Sequence, residues 1–86
     1  MSESALQFPC QFPIKAVGQN DAELDLHVVE IIRRHVDDLT EGAVSSKHSR
    51  GGKYISITVT ITARSQQQLD AIYQDLSASP WVLMAL

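Results

Sequence analysis

The sequence predicts an α+β domain, a four-stranded antiparallel sheet with two helices on one face, and three observations carry that prediction. In KYISITVTITA, Ile55, Ile57, Val59 and Ile61 alternate with Tyr54, Ser56, Thr58, Thr60 and Thr62, which is the period of a strand with one apolar face. Two other stretches, around 24–39 and 66–77, repeat apolar residues at helical spacing. The elements follow one another as β-α-β-β-α-β, so right-handed crossovers place the helices on the same face of the sheet.

The first strand is expected from about Phe12 to Gly18, in FPIKAVG. Phe12, Ile14 and Ala16 share one side and Pro13, Lys15 and Val17 the other. Pro13 gives no N–H to a ladder and suits the start of a strand. GQNDAELD then reads as a helix start, with Asn20 as N-cap and Glu23 as its capping-box partner. Leu24, Val28, Ile31, Ile32, His35 and Leu39 form one face of this helix, flanked by Val29 and Val36. Asp37 and Asp38 oppose the negative end of the helix dipole and predict an end near Val36–Leu39.

AVSSKHS is a short strand, and SRGG turns it back, with Gly51 and Gly52 free to take positive φ. After the long strand, Ser65 caps the second helix and Gln68 completes an S-x-x-Q box. Leu69, Ile72, Tyr73 and Leu76 are its buried stripe, and Pro80 ends it. WVLMAL is the last strand, expected to turn Val82, Met84 and Leu86 to the core and Trp81, Leu83 and Ala85 outward. The result is a ferredoxin-like sandwich with strand order 4-1-3-2 and one sheet face free of helices.

The 86 residues make one domain over 10–86, with 1–9 expected as a flexible tail. The formal net charge of −3 disfavours nucleic acid and anionic membranes as partners. The sequence has no apolar run of transmembrane length and no signal-peptide pattern, and it has a single cysteine. A cytoplasmic location is the expectation.

Cys10 sits between two Phe-Pro pairs and precedes a strand rather than a helix. It lacks the positive surroundings that activate a thiol and reads as a small apolar residue. No C-x-x-C or H-x-x-x-H spacing is present, so no metal site and no cofactor is expected. His27 and His35 read as core-edge residues and His48 as solvated. Lys47, His48, Arg50 and Lys53 form a local basic cluster, read as a solvated hairpin tip and not as a phosphate loop.

FPIKAVGQ, VVEIIRRH, GGKYISITVTITA and the final V-L-M-A-L, in that order, resemble the YbeD-like family of small bacterial proteins, the domain of unknown function 493. The resemblance covers about Phe8 to Leu86. It implies the same ferredoxin-like fold and, through likeness to ACT regulatory domains, ligand recognition at the first strand–helix loop and at a dimer interface. Gly18 stands where ACT domains place a loop glycine. The small-phosphate hydrolases of this fold use an Arg and a facing Asn; Asn20 is in that loop without an Arg near it.

The expectation is therefore a non-enzymatic regulatory or adaptor domain, with no catalytic residues, recognising a small metabolite or a protein. Its candidate site comprises Gly18, Gln19 and Asn20, with Asp21 closing the loop, the sheet-face residues Tyr54, Ser56, Thr58 and Thr60, and Trp81 and Leu83 at the edge. A homodimer through the last strand is a further expectation.

Overall fold

The computed structural model describes residues 6–20 and 23–86. The strands are β1 (Cys10–Gln19), β2 (Val44–His48), β3 (Tyr54–Ala63) and β4 (Met84–Ala85); the helices are α1 (Leu24–Arg33) and α2 (Gln66–Ala78). All pairings are antiparallel and the order is β2-β3-β1-β4, the expected topology read from the other edge.

The long central strands set the architecture. β1 runs against β3 from the Cys10–Ala63 pair to the Gln19–Tyr54 pair. Opposite residues share a face, so Ile14 and Ala16 stand beside Val59 and Ile57 under the helices. Leu24, Val28, Ile31 and Ile32 from α1 and Leu69, Ile72 and Leu76 from α2 close the core, which contains no buried polar residue among those described. Leu6, Phe8 and Cys10 pack against it, while residues 1–5 of the expected tail lie outside the described residues. Cys10 thus sits where a small apolar residue would.

The second helix starts as predicted. Gln68 N–H donates to Ser65 Oγ at 3.0 Å. The Gln68 side chain departs from the box: its Oε1 accepts from Arg64 N–H at 2.6 Å and its Nε2 donates to the His35 carbonyl at 2.9 Å. It thereby ties the start of α2 to the end of α1. Ser65→Ala is expected to cost about 1 kcal/mol of unfolding free energy, the usual loss for an N-cap, measured by urea titration.

The first helix departs from expectation at both ends. Its N-cap position is Glu23, without a side-chain cap. Asn20 is not the cap; its Nδ2 donates to the Gly52 carbonyl at 2.8 Å and its N–H to the Lys53 carbonyl at 3.0 Å. The expected Asp21 contribution lies outside the described residues. The helix stops at Arg33, earlier than the acids alone suggested, and tightens through Arg34 and His35 N–H bonds to Ile31 and Ile32. Asp37 and Asp38, freed from the negative helix end, approach the Arg64 guanidinium at 3.7 and 3.3 Å.

The last strand is also corrected. It is two residues long, and the expected alternation fails. Val82 is buried as expected, but Met84 and Leu86 are 52% and 60% exposed, and Ala85 packs on the core instead. Met84 is the register partner of Val17, yet Leu83 N–H also donates to the Val17 carbonyl at 2.8 Å. Two residues thus oppose one, the count of a β-bulge, which shifts the period by one residue.

Candidate functional site

The register sorts the expected site residues onto two sides of the sheet. Tyr54, Ser56, Thr58 and Thr60 lie on the face without helices, opposite Gln19, Val17, Lys15 and Pro13 of β1. On the flanks, Lys47 and Ser45 of β2 join this face beside Ser56 and Thr58, and Met84 joins it beside Val17. Leu86 exchanges backbone bonds with Lys15, at 2.7 and 3.1 Å, and completes the β4 edge of the same surface. Its carbonyl also accepts from the Tyr73 hydroxyl at 2.8 Å, and partial burial raises the Tyr73 phenol above the ordinary range.

Gly18 belongs to the other side. It is buried, and a Cβ there would stand 2.5 Å from the Trp81 carbonyl oxygen and 2.9 Å from Leu24 Cδ2. Its role is close packing of β1 under the Trp81 backbone, rather than an open loop. Gln19 remains on the free face beside Tyr54, whereas Asn20 is spent clasping the hairpin. The structure therefore brings Gln19 together with Tyr54 and the hydroxyl row, and separates Gly18 from them.

Trp81 also leaves the expected face. Its indole stacks on the His27 imidazole of α1, with centroids 4.2 Å apart and planes 5° from parallel. Leu83 remains exposed at 58%. A cleft of about 270 Å³ beside the stack is lined by His27, Glu30, Arg34, Asp75 and Trp81 among others. His27 Nε2 is buried without a hydrogen bond and lies 3.9 Å from Glu23 Oε1. Just past the end of α1, His35 Nε2 and Asp75 Oδ2 are 2.6 Å apart and tie that end to α2. Among the described residues, no group of three or more His, Cys, Asp or Glu is placed to hold a metal ion, and no helix is long and apolar enough to cross a membrane.

One property of the free face escaped sequence reasoning. Among the described residues, no Asp or Glu falls in a strand or in the β2–β3 turn, whereas Lys15, Lys47, Arg50 and Lys53 all do. The described acids lie in the helices and their connections. A net charge of −3 thus conceals a sheet layer that is uniformly basic. Sorting the charges by predicted element would have found it.

Comparison with known proteins agrees with this architecture. The family described as "Protein of unknown function (DUF493)" matches residues 3–86. A UPF0250 protein of Chromobacterium violaceum is 42% identical over 84 residues, covering 98% of this chain and 94% of the relative. Another, from Ectopseudomonas mendocina, is 40% identical over 82 residues, covering 94% and 89%. The solution structure of protein HP0495 from H. pylori superposes with a TM-score of 0.71 at 15% identity, over 98% of this chain and 88% of that one, and shares its fold. None of these descriptions names a reaction. By sequence over its whole length and by fold, the chain belongs to the DUF493 family, the YbeD-like UPF0250 proteins.

Proposed function

We propose that this chain is a non-enzymatic adaptor domain that binds a protein partner through the free face of its sheet. The observation that carries this reading is the exposed apolar row at the β4 edge. Leu83, Met84 and Leu86 are each more than half exposed, the first two beside Val17 and the third beside Lys15, along the polar and basic surface of β1 and β3. A large apolar group that could have faced the core but is held outward by a bulge is what an interaction surface needs.

The ACT-like reading, a metabolite taken up at the turn after β1, finds less support. Gly18 is packed against Leu24 and the Trp81 backbone, and Asn20 is already bonded to the hairpin. Small-molecule regulation is therefore the second reading here.

The test compares the wild-type chain with Met84→Lys, immobilised and exposed to lysate of the source cells, with bound proteins quantified. A defined protein retained by the wild type and lost by at least about tenfold, or about 1.4 kcal/mol, on Met84→Lys is expected. Equal retention by both, or metabolite-induced amide shifts at Gln19 and Tyr54 with no protein retained, overturns it in favour of sensing.

A further inference from the structure

We propose that the outer edge of β2 accepts an acidic, extended segment of a partner protein as an added strand. This rests on the adaptor reading and names the seat and chemistry of the partner.

The backbone of β2 is presented for pairing. Ser49 N–H donates to the Tyr54 carbonyl at 2.9 Å, which continues the β2–β3 ladder by one pair. Antiparallel bonding alternates, so Ser45 and Lys47 also turn their backbone groups to β3. The N–H and C=O groups of Val44, Ser46 and His48 then point away from the sheet. Of the devices that usually blunt an edge, VSSKH has no proline and no bulge in its register with β3; it is short and carries one lysine, Lys47, a charge that repels basic strands and attracts acidic ones.

Over residues 45–48 both faces of this edge are open, while Val44 packs on the core. Ser45 and Lys47 lie on the free face, opposite Thr58 and Ser56. Ser46 and His48 share the helix-side face with Ile57 and Ile55, yet both are exposed, so the helix layer does not reach beyond β3 here. The edge is also held in place. Asn20 bonds to the Gly52 and Lys53 carbonyls, and Ser49 Oγ accepts from Tyr54 N–H at 3.1 Å. An edge fixed in advance costs little ordering when a strand joins it.

Charge selects the occupant. An added strand would run alongside Lys47 and His48, with Arg50 and Lys53 at the turn and Lys15 two strands away, and would meet no carboxylate in the sheet. Asp or Glu at alternate positions would be drawn to it on approach and in place. A second copy of this chain is the poorer fit, because two β2 edges would align two sets of Lys47, His48 and Arg50 along one seam.

The test selects binders to the whole chain from displayed random peptides about 12 residues long, more than an ordinary strand of about 5–6 residues. The strongest binder is then titrated while backbone amides are followed by NMR. Acidic sequences are expected, with shifts centred on Val44, Ser46 and His48. Affinity should fall at least about tenfold on Ser46→Pro, which removes a free-edge donor, and similarly on Lys47→Glu, which retains every backbone donor. It should also fall as the Debye length shrinks from about 10 Å at 0.1 M salt to about 3 Å at 1 M. Lys47→Glu decides the matter if Ser46→Pro does not fold.

Failure to enrich any peptide, enrichment of neutral or basic sequences, or an affinity insensitive to Lys47→Glu overturns the proposal. So does a dimer of this chain that Ser46→Pro dissolves, which would give the edge to self-association. Shifts centred on Met84–Leu86 overturn the β2 seat but leave the adaptor reading standing. That reading falls separately, on the Met84→Lys comparison.

Discussion

Gly18→Ala is expected to destabilise the fold by about 3 kcal/mol, the upper part of the range for overpacking a closed site. The added methyl group would lie 2.5 Å from the Trp81 carbonyl oxygen and 2.9 Å from Leu24 Cδ2. Neither neighbour can yield cheaply. The first is backbone, in the connection whose next residue, Val82, is core, and Leu24 is 1% exposed at the start of α1. Relief requires β1 to move away from the α2–β4 connection, which loosens the Leu83–Val17 bond nearby. For a domain of this size the melting temperature should fall by roughly 4–8 °C per kcal/mol. A urea midpoint within experimental scatter of the wild type would show that the connection yields freely and that Gly18 has no packing role. By contrast Gly42, where a Cβ meets nothing within 4 Å, should accept alanine with little change.

The second large effect separates the two faces of β3. Ile57→Ala should cost about 4 kcal/mol, within the 2–5 kcal/mol typical of emptying a fully buried isoleucine site. Ile57 is completely buried, opposite Ala16 on β1 and Ser46 on β2. Ala16 is too small to fill the space left behind. One residue along, Thr58→Ala on the free face should stay within about 0.5 kcal/mol, as surface changes do. Denaturant titration of both variants reads the contrast. A costly Thr58→Ala would mean that something covers the free face in the isolated chain, and a cheap Ile57→Ala would mean that the helices do not pack as described.

Which elements could be read from sequence follows from the range of the forces that shape them. Ile55, Ile57, Val59 and Ile61 were legible because one face of β3 is covered along its whole length, so burial and period agree. Ser65 was legible because its cap closes over three residues. Asn20 was not, because GQND resembles a helix start while its side chain answers to a hairpin 32 residues away. The end of the chain misled for a related reason. Period-2 reasoning assumes unbroken pairing, and the double opposition of Leu83 and Met84 to Val17 is a tertiary event without a local signature. The candidate site was legible only in part. The hydroxyl row of β3 lies where its alternation put it, but Gly18 and Trp81 turned to the helix side, and the basic character of the sheet was hidden by a whole-chain charge.

The position of β1 has a kinetic consequence. It is the first strand in sequence and an inner strand in space, and its two neighbours, β3 and β4, both come later than α1 and β2. Only the β2–β3 hairpin among the strand pairs closes over a short loop. Every pairing of β1 must wait for a long loop to close, and such topologies reach their transition state more slowly than local ones. A nascent chain would carry FPIKAVG without a strand partner until the second half has emerged. The hairpin, with α2 behind it, is then the natural nucleus, and β1 docks onto a surface already formed. On that order of events, Ile57→Ala should slow folding, whereas Gly18→Ala should chiefly hasten unfolding.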